Sequence, residues 1–245
     1  MKKFLLLALG IITMCKCYAD ENIVLIADPQ VLALSIHENN EPMIDLVNQK
    51  EISYGPPPLL PDNTNYTKVR QTIYNKLKQA QAMLPDGLKF RLYEGYRSLE
   101  LQQKIFQERY ASLQKENPKL THQQIFIEST KFVSPVTNLD GSKNIPPHAT
   151  GAAIDVYLID KEGKVLDMGI HLDDTYNDLK GIYCKTESHV ISAKAREYRT
   201  IMGKALQAVG FVNYPTEYWH WSYGDRYWAY QTHQKFAIYN IVKND

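Results

Sequence analysis

Three cysteines in 245 residues are too few for a disulfide framework. Cys15 and Cys17 fall near the N-terminus, which leaves Cys184 alone, and a single spare thiol in such a chain is read as inert. Charge of one sign is also lacking. Twenty-eight lysines and arginines stand against 27 aspartates and glutamates, so no basic field exists to attract nucleic acid, and none is expected as a partner. Past the N-terminus no stretch is apolar enough to span a bilayer. There is no internal repeat and no low-complexity segment. Helical and strand-like segments are mixed without a βαβ rhythm, which favours the α+β class over a parallel-sheet architecture.

The one concentrated hydrophobic run lies at the start. Lys2 and Lys3 precede a short apolar stretch from Phe4 to Met14, and Cys17-Tyr18-Ala19 places small residues three and one positions before a cut. This is the pattern of a cleavable export signal, and the run is too short to cross a membrane. Residues 1–19 are therefore expected to be a signal peptide, and residues 20–245 a single domain. Cleavage would remove three lysines and leave 25 basic against 27 acidic side chains. The mature chain is expected in the periplasm or outside the cell, without stable membrane insertion after cleavage.

Prolines at 29, 42 and 56–58 preclude a long helix in the first part of the mature chain. An irregular wrap with one short strand at 22–26 is expected there. Val69, Ile73, Leu77 and Ala80 recur at helical spacing over 67–84, and Pro85-Asp86-Gly87 ends that element. Leu88 to Tyr96 alternates as a strand does. Ser98 caps a helix to about 115, and Thr121 caps another to about Phe132. Residues 134–147 and 166–187 read as loops, Ala152 to Ile159 as a strand, 188–209 as a helix ending at Gly210, and Tyr218 to Tyr223 as an aromatic strand.

Two segments carry chemistry. In Pro147-His148-Ala149-Thr150-Gly151-Ala152-Ala153-Ile154-Asp155, an imidazole in a loop end and a carboxylate in a strand are both good zinc ligands, and Gly151 lets the chain turn between them. In Glu217-Tyr218-Trp219-His220-Trp221, a histidine among aromatics is kept neutral by its low-dielectric surroundings and would supply a third ligand. Glu217 could exchange a proton with water. Residues 217 and 220 point to opposite faces of a regular strand, so Glu217 must lie in the turn after Pro215 or the strand must bulge. Arg97, at the end of a strand, suits a developing oxyanion. A histidine seven residues from an aspartate, or a histidine in an aromatic strand, is also common in ordinary cores. Spacing alone leaves both readings open.

Four segments, taken together and in order, resemble the D-alanyl-D-alanine dipeptidase family of zinc peptidases, which includes the vancomycin-resistance dipeptidase. The family pattern Ser-x-His-x-x-Gly-x-Ala-x-Asp is matched by His148, Gly151, Ala153 and Asp155, and Glu-Trp-Trp-His by Glu217, Trp219 and His220. Its Tyr-Arg pair corresponds to Tyr96-Arg97. Its Asp-Met-Gly signature and acidic loop correspond to Asp167-Met168-Gly169 and Asp173-Asp174. The motifs occur in the same order over roughly residues 60–225. The resemblance implies one zinc per chain held by His148, Asp155 and His220, Glu217 as catalytic acid/base, and Arg97 as transition-state stabiliser. It also implies a hedgehog-like D,D-peptidase fold with a central antiparallel sheet and flanking helices. The implied activity is hydrolysis of the D-alanyl-D-alanine dipeptide in peptidoglycan metabolism. Alternatives are a D,D-carboxypeptidase acting on muropeptide stems and a non-catalytic zinc-stabilised wall-binding module. Two departures touch the motifs: Pro146 stands where the family has Ser, and Tyr218 replaces a Trp beside Glu217.

Overall fold

The computed structural model describes residues 23–58 and 63–243, so the expected signal peptide lies outside the described residues. The proline-bearing N-terminal part is irregular, as expected. The strand expected at 22–26 does not form over 23–26. Pro29 instead opens one turn of helix, α1 (Pro29–Leu32), where its missing N–H costs nothing. Short strands β1 (Ser35–Ile36), β2 (Met43–Asp45) and β3 (Ser53–Tyr54) follow.

The periodic stretch from 67 divides in two. Lys68–Arg70 is strand β4, and helix α2 begins only at Gln71 and runs to Gln81. Val69 is buried in either reading, because helical and strand periods agree on it. The extended backbone of Arg70 sets the boundary, and β4 pairs antiparallel with β2. β5 (Lys89–Glu94) buries Phe90 and Leu92 on one face as expected. Helix α3 (Leu99–Glu116) starts at Ser98, whose side chain accepts the Leu101 N–H, and α4 (His122–Thr130) opens with a Thr121–Gln124 capping box.

β6 (Ala153–Ile159) is followed by a tight turn at 160–163, then by a loop-rich stretch with one 3-10 segment, Leu172–Asn177. Helix α5 (Ala193–Ala208) starts later than expected, where Ser192 provides a cap, and Gly210 lies just past its end at φ +89°. β7 (Val212–Tyr214), β8 (Glu217–Ser222), α6 (Arg226–Gln231) and β9 (Phe236–Ala237) complete the order.

The principal sheet has five strands in the order β3-β5-β6-β8-β7. Its pairings are antiparallel except for β3 with β5, and the chain is α+β as expected. β6 is buried along its whole length, since it is central and both faces are covered. Ile73 and Leu77 of α2, and Met202 and Leu206 of α5, join Ile154, Val156 and Leu158 in one apolar cluster. Among the described residues no helix is long and apolar enough to cross a membrane.

Candidate metal centre and catalytic cavity

Register places three functional groups in one row. Glu94 pairs with Asp155 across β5 and β6, and Asp155 pairs with His220 across β6 and β8. Directly opposed residues have Cβ atoms about 4.5–5.5 Å apart, so backbone pairing alone brings the carboxylate of Asp155 to the imidazole of His220.

His148 joins them from the 3-10 turn Pro147–Thr150, which Gly151 closes in the left-handed region at φ +69°. His148 Nδ1 lies 2.7 Å from the Gly95 carbonyl oxygen. A carbonyl only accepts, so Nδ1 carries the proton and Nε2 keeps a lone pair. Gly95 has no room for a side chain, because a Cβ would collide with the Lys68 carbonyl oxygen. That close approach lets Gly95 N–H donate to Tyr66 O and Tyr96 N–H donate to Lys68 O, which fixes the carbonyl that orients His148.

His148 Nε2 is 3.2 Å from His220 Nδ1 and 3.4 Å from Asp155 Oδ1, and His220 Nδ1 is 3.1 Å from the same oxygen. All three residues are buried, and their ligand atoms lie within 4.8 Å of one another. Burial pulls the His220 imidazole below its ordinary pKa, toward the neutral ligating form. Burial pushes the Asp155 carboxyl up, but the imidazoles of His148 and His220 more than offset it and hold it below the usual carboxylate range. Converging donor atoms of this kind fit a divalent cation. Two imidazoles and one carboxylate with an open fourth position are a donor set typical of zinc.

Glu217 reaches the same place by a bulge. Pairing between β7 and β8 shifts register between Asn213 and Tyr214, so Tyr214 opposes Glu217 while Asn213 opposes Trp221. The irregularity turns Glu217 and His220 to the same side, with Oε2 3.9 Å from Nδ1. Asn213 holds the bulge, since its Nδ2 donates to Glu217 O at 3.0 Å and to His220 O at 2.9 Å. Thr186 Oγ1 donates to Asn213 Oδ1 and fixes the amide. Asn213→Ala removes both donations to these backbone carbonyls. The expected loss is about 1–3 kcal/mol of stability by chemical denaturation, with kcat falling more than KM changes. Wild-type stability in that variant would show that the bulge does not depend on Asn213.

Burial and the Asp155 charge push the Glu217 carboxyl well above the usual carboxylate range, against the pull of Arg97 and Arg109. A carboxyl raised in this way is better suited to holding a proton and handing it on than an ordinary surface glutamate. Arg97 Nε donates to Glu94 Oε1 at 3.0 Å, Nη2 donates to the other Glu94 oxygen, and Nη1 donates to Gln102 Oε1 at 3.0 Å. Asp155 Oδ2 lies 4.0 Å from Nη2. Burial opposes the Arg97 charge, but Glu94 overcomes it and holds the guanidinium above its ordinary pKa. All five residues singled out from the sequence thus line one cavity of about 150 Å³.

A family model described as D-ala-D-ala dipeptidase, Peptidase M15, matches residues 60–239. The chain belongs to this dipeptidase family. A D-alanyl-D-alanine dipeptidase of Synechocystis sp. is 27% identical over 246 residues, covering 86% of this chain and 96% of the relative. Among solved structures, VanYB in complex with D-Alanine-D-Alanine aligns at 15% identity with a TM-score of 0.43, over 84% of this chain and 94% of that one. The LdcB LD-carboxypeptidase aligns at 14% identity with a TM-score of 0.42, over 80% and 76%.

The two departures from the dipeptidase family pattern have different consequences. Tyr218 does not line the cavity. Its hydroxyl donates to Ile170 O at 2.8 Å and its ring lies under Arg199 at 3.9 Å, so the added oxygen faces away from the site. Trp219 forms the wall instead. Pro146 caps the 3-10 turn that carries His148 and offers no hydroxyl there.

Cys184 lines the cavity, but burial and then Asp178 push its thiol far up, away from the reactive thiolate form. Asp178 accepts the backbone N–H groups of Ile182, Tyr183 and Cys184, and Asp173 accepts from Tyr93. Glu94, Gln102 and Asn213 were not legible as site residues. Their one available signal was closeness in sequence to Arg97 or to β8, which says nothing about which way a side chain points.

Proposed function

We propose that this chain is an exported zinc-dependent dipeptidase that hydrolyses D-alanyl-D-alanine. The observation that supports this best is the convergence of His148 Nε2, Asp155 Oδ1 and His220 Nδ1 beside Glu217 in one cavity. Bound zinc supplies Lewis-acid polarisation of the scissile carbonyl and makes water acidic at neutral pH. Glu217 takes a proton as a water oxygen bonds to the carbonyl carbon. It then delivers that proton to the departing amine as the C–N bond breaks, releasing two D-alanines. Arg97, held by Glu94, turns its remaining N–H groups toward the oxygen that gains negative charge.

The cavity walls favour a small substrate. Ser134 and Pro147 from one loop, and Leu172, Thr175 and Cys184 from the other, close around the site. Gln102 ties the first loop down by donating to Ser134 O at 2.7 Å, and Arg109 ties the second by donating to Leu179 O at 2.9 Å.

The test is release of D-alanine by the mature protein from D-Ala-D-Ala, L-Ala-D-Ala and a pentapeptide stem, with and without chelator. The expected result is turnover of D-Ala-D-Ala, abolished by chelator and restored by zinc. Turnover of the stem alone would make the enzyme a D,D-carboxypeptidase. Zinc and wall-fragment binding without turnover would leave a binding module. Export carries its own expected result: protein recovered from the periplasm or medium should begin at Asp20 by mass spectrometry. A full-length cytoplasmic product counts against it.

A further inference from the structure

Tyr218 and Arg199 lie against each other and grip one stretch of backbone. Arg199, on α5, is 3% exposed, and its guanidinium sits 3.9 Å over the Tyr218 ring. Its Nε donates to Met168 O at 2.7 Å, Nη1 to Lys185 O at 2.6 Å and Nη2 to Tyr183 O at 2.9 Å. The Tyr218 hydroxyl donates to Ile170 O, and the Tyr218 N–H donates to Cys184 O at 2.9 Å. Every one of these acceptors is a backbone carbonyl, and they fall at two places. Met168 and Ile170 mark where the segment leaves the core, and Tyr183, Cys184 and Lys185 mark where it returns.

The segment between, 171–182, brings Leu172 and Thr175 to the catalytic cavity, and Cys184 follows them on the same wall. Its regular structure is the 3-10 segment Leu172–Asn177, and no strand ties it to the sheet. Such a loop takes its position from whatever holds its ends. A buried guanidinium is costly unless its donors are used, and here carbonyl oxygens and an aromatic face answer it. Gly169 makes the approach possible, since a Cβ there would collide with Ile191 and crowd Arg199 Nη2. Tyr218 also belongs to β8, between Glu217 and Trp219, so the strand that presents Glu217 and His220 to the cavity holds this wall as well. The hydroxyl is the group this chain adds where the dipeptidase pattern has Trp.

We infer that Tyr218 and Arg199 are positioning residues that set how long a peptide the site accepts, by clasping both ends of the loop that bears Leu172 and Thr175. This rests on the peptidase reading of the cavity. Clasped, the loop keeps its wall against a dipeptide and shuts out a longer chain. Released, it exchanges between closed and open positions, so contacts to the dipeptide weaken while longer peptides gain entry.

The test uses zinc-loaded wild type, Tyr218→Phe and Arg199→Lys. Tyr218→Phe keeps a buried ring and deletes only the donor to Ile170 O, so it isolates the clasp even if Arg199→Lys folds poorly. Substrates are D-Ala-D-Ala, a stem pentapeptide that extends it at the N-terminal end, and D-Ala-D-Ala-Gly, which extends it at the C-terminal end. The preference for the dipeptide over the better longer peptide should fall about 3–10-fold in Tyr218→Phe, the worth of one hydrogen bond. The change should come from a raised KM for the dipeptide, with kcat and zinc content nearly unchanged. Arg199→Lys, which loses a fork of donors, should lower the preference by at least about tenfold. Amide hydrogen exchange should quicken across 170–184 in both variants and stay as in wild type across β6 and β8.

Unchanged exchange over 170–184 in Tyr218→Phe overturns the inference. So does faster exchange with the dipeptide preference intact, or an equal loss on all three peptides. If wild type turns over the stem and not the dipeptide, the dipeptidase reading fails by itself. The clasp then stands if the ratio and the exchange still move in Tyr218→Phe, and falls if they do not. If nothing is cleaved, calorimetric affinities for the same peptides replace kcat/KM and decide in the same way.

Discussion

Glutamine in place of Glu217 is expected to lower kcat by about 10²–10⁴-fold while zinc content and fold remain those of the wild type. The substitution preserves size in a buried position and removes only the ability to take and return a proton. The bulge at Asn213 brings Glu217 to within 3.9 Å of His220, so the side chain stands beside the ligand set rather than across the sheet from it. Steady-state kinetics paired with metal analysis reads the effect. A fully active variant would remove Glu217 from the chemistry. Arg97→Ala provides a useful contrast. If Arg97 acts only on the developing oxyanion, kcat should fall by about 10²–10³-fold. A ground-state anchor would instead raise KM with kcat nearly unchanged.

Alanine at His148, Asp155 or His220 should abolish both metal binding and turnover. The loss of zinc affinity is expected to exceed the roughly 10–100-fold that an outer partner of a ligand costs. Asp155 should be the most damaging of the three. Its carboxylate touches both imidazoles, and its backbone sits between Glu94 and His220 in the sheet. At free zinc about a hundredfold above Kd, binding stabilises the native state by about 2.7 kcal/mol. The zinc-dependent rise in Tm expected of the wild type should therefore vanish in all three variants. Wild-type zinc stoichiometry in all of them would place the metal elsewhere.

Much of this was legible in the sequence where local chemistry dictates structure. The caps at Ser98 and Thr121, the alternation through Leu92 and the end of α5 at Gly210 are decided within a few residues, and the structure follows them. Long-range pairing was less accessible. The stretch at 67–84 reads as one helix because Val69 fits both periods, and only its partner β2 makes Lys68–Arg70 a strand. Likewise, the five residues of the motifs were evident, but the groups that aim them were not. Glu94 holds Arg97, the Gly95 carbonyl sets the His148 tautomer, and Asn213 turns Glu217 inward. These roles come from backbone register and from a bulge, neither of which leaves a periodic trace. Arg109 was missed for the same reason: on a helix it reads as one more charge for the solvent face.

The row formed by Glu94, Asp155 and His220 also sets a sequence of events during folding. Its members lie 61 and 65 positions apart along the chain, and no fragment of local structure brings them together. Closing loops of that size comes before the reward of the contact. The metal centre is thus a late product of assembly, complete only when β5, β6 and β8 have found one another. A slip of one residue in either pairing would send Asp155 or His220 to the opposite face of the sheet. On the proposed zinc reading, metal uptake by a refolding chain should report on strand register and lag the recovery of helical signal.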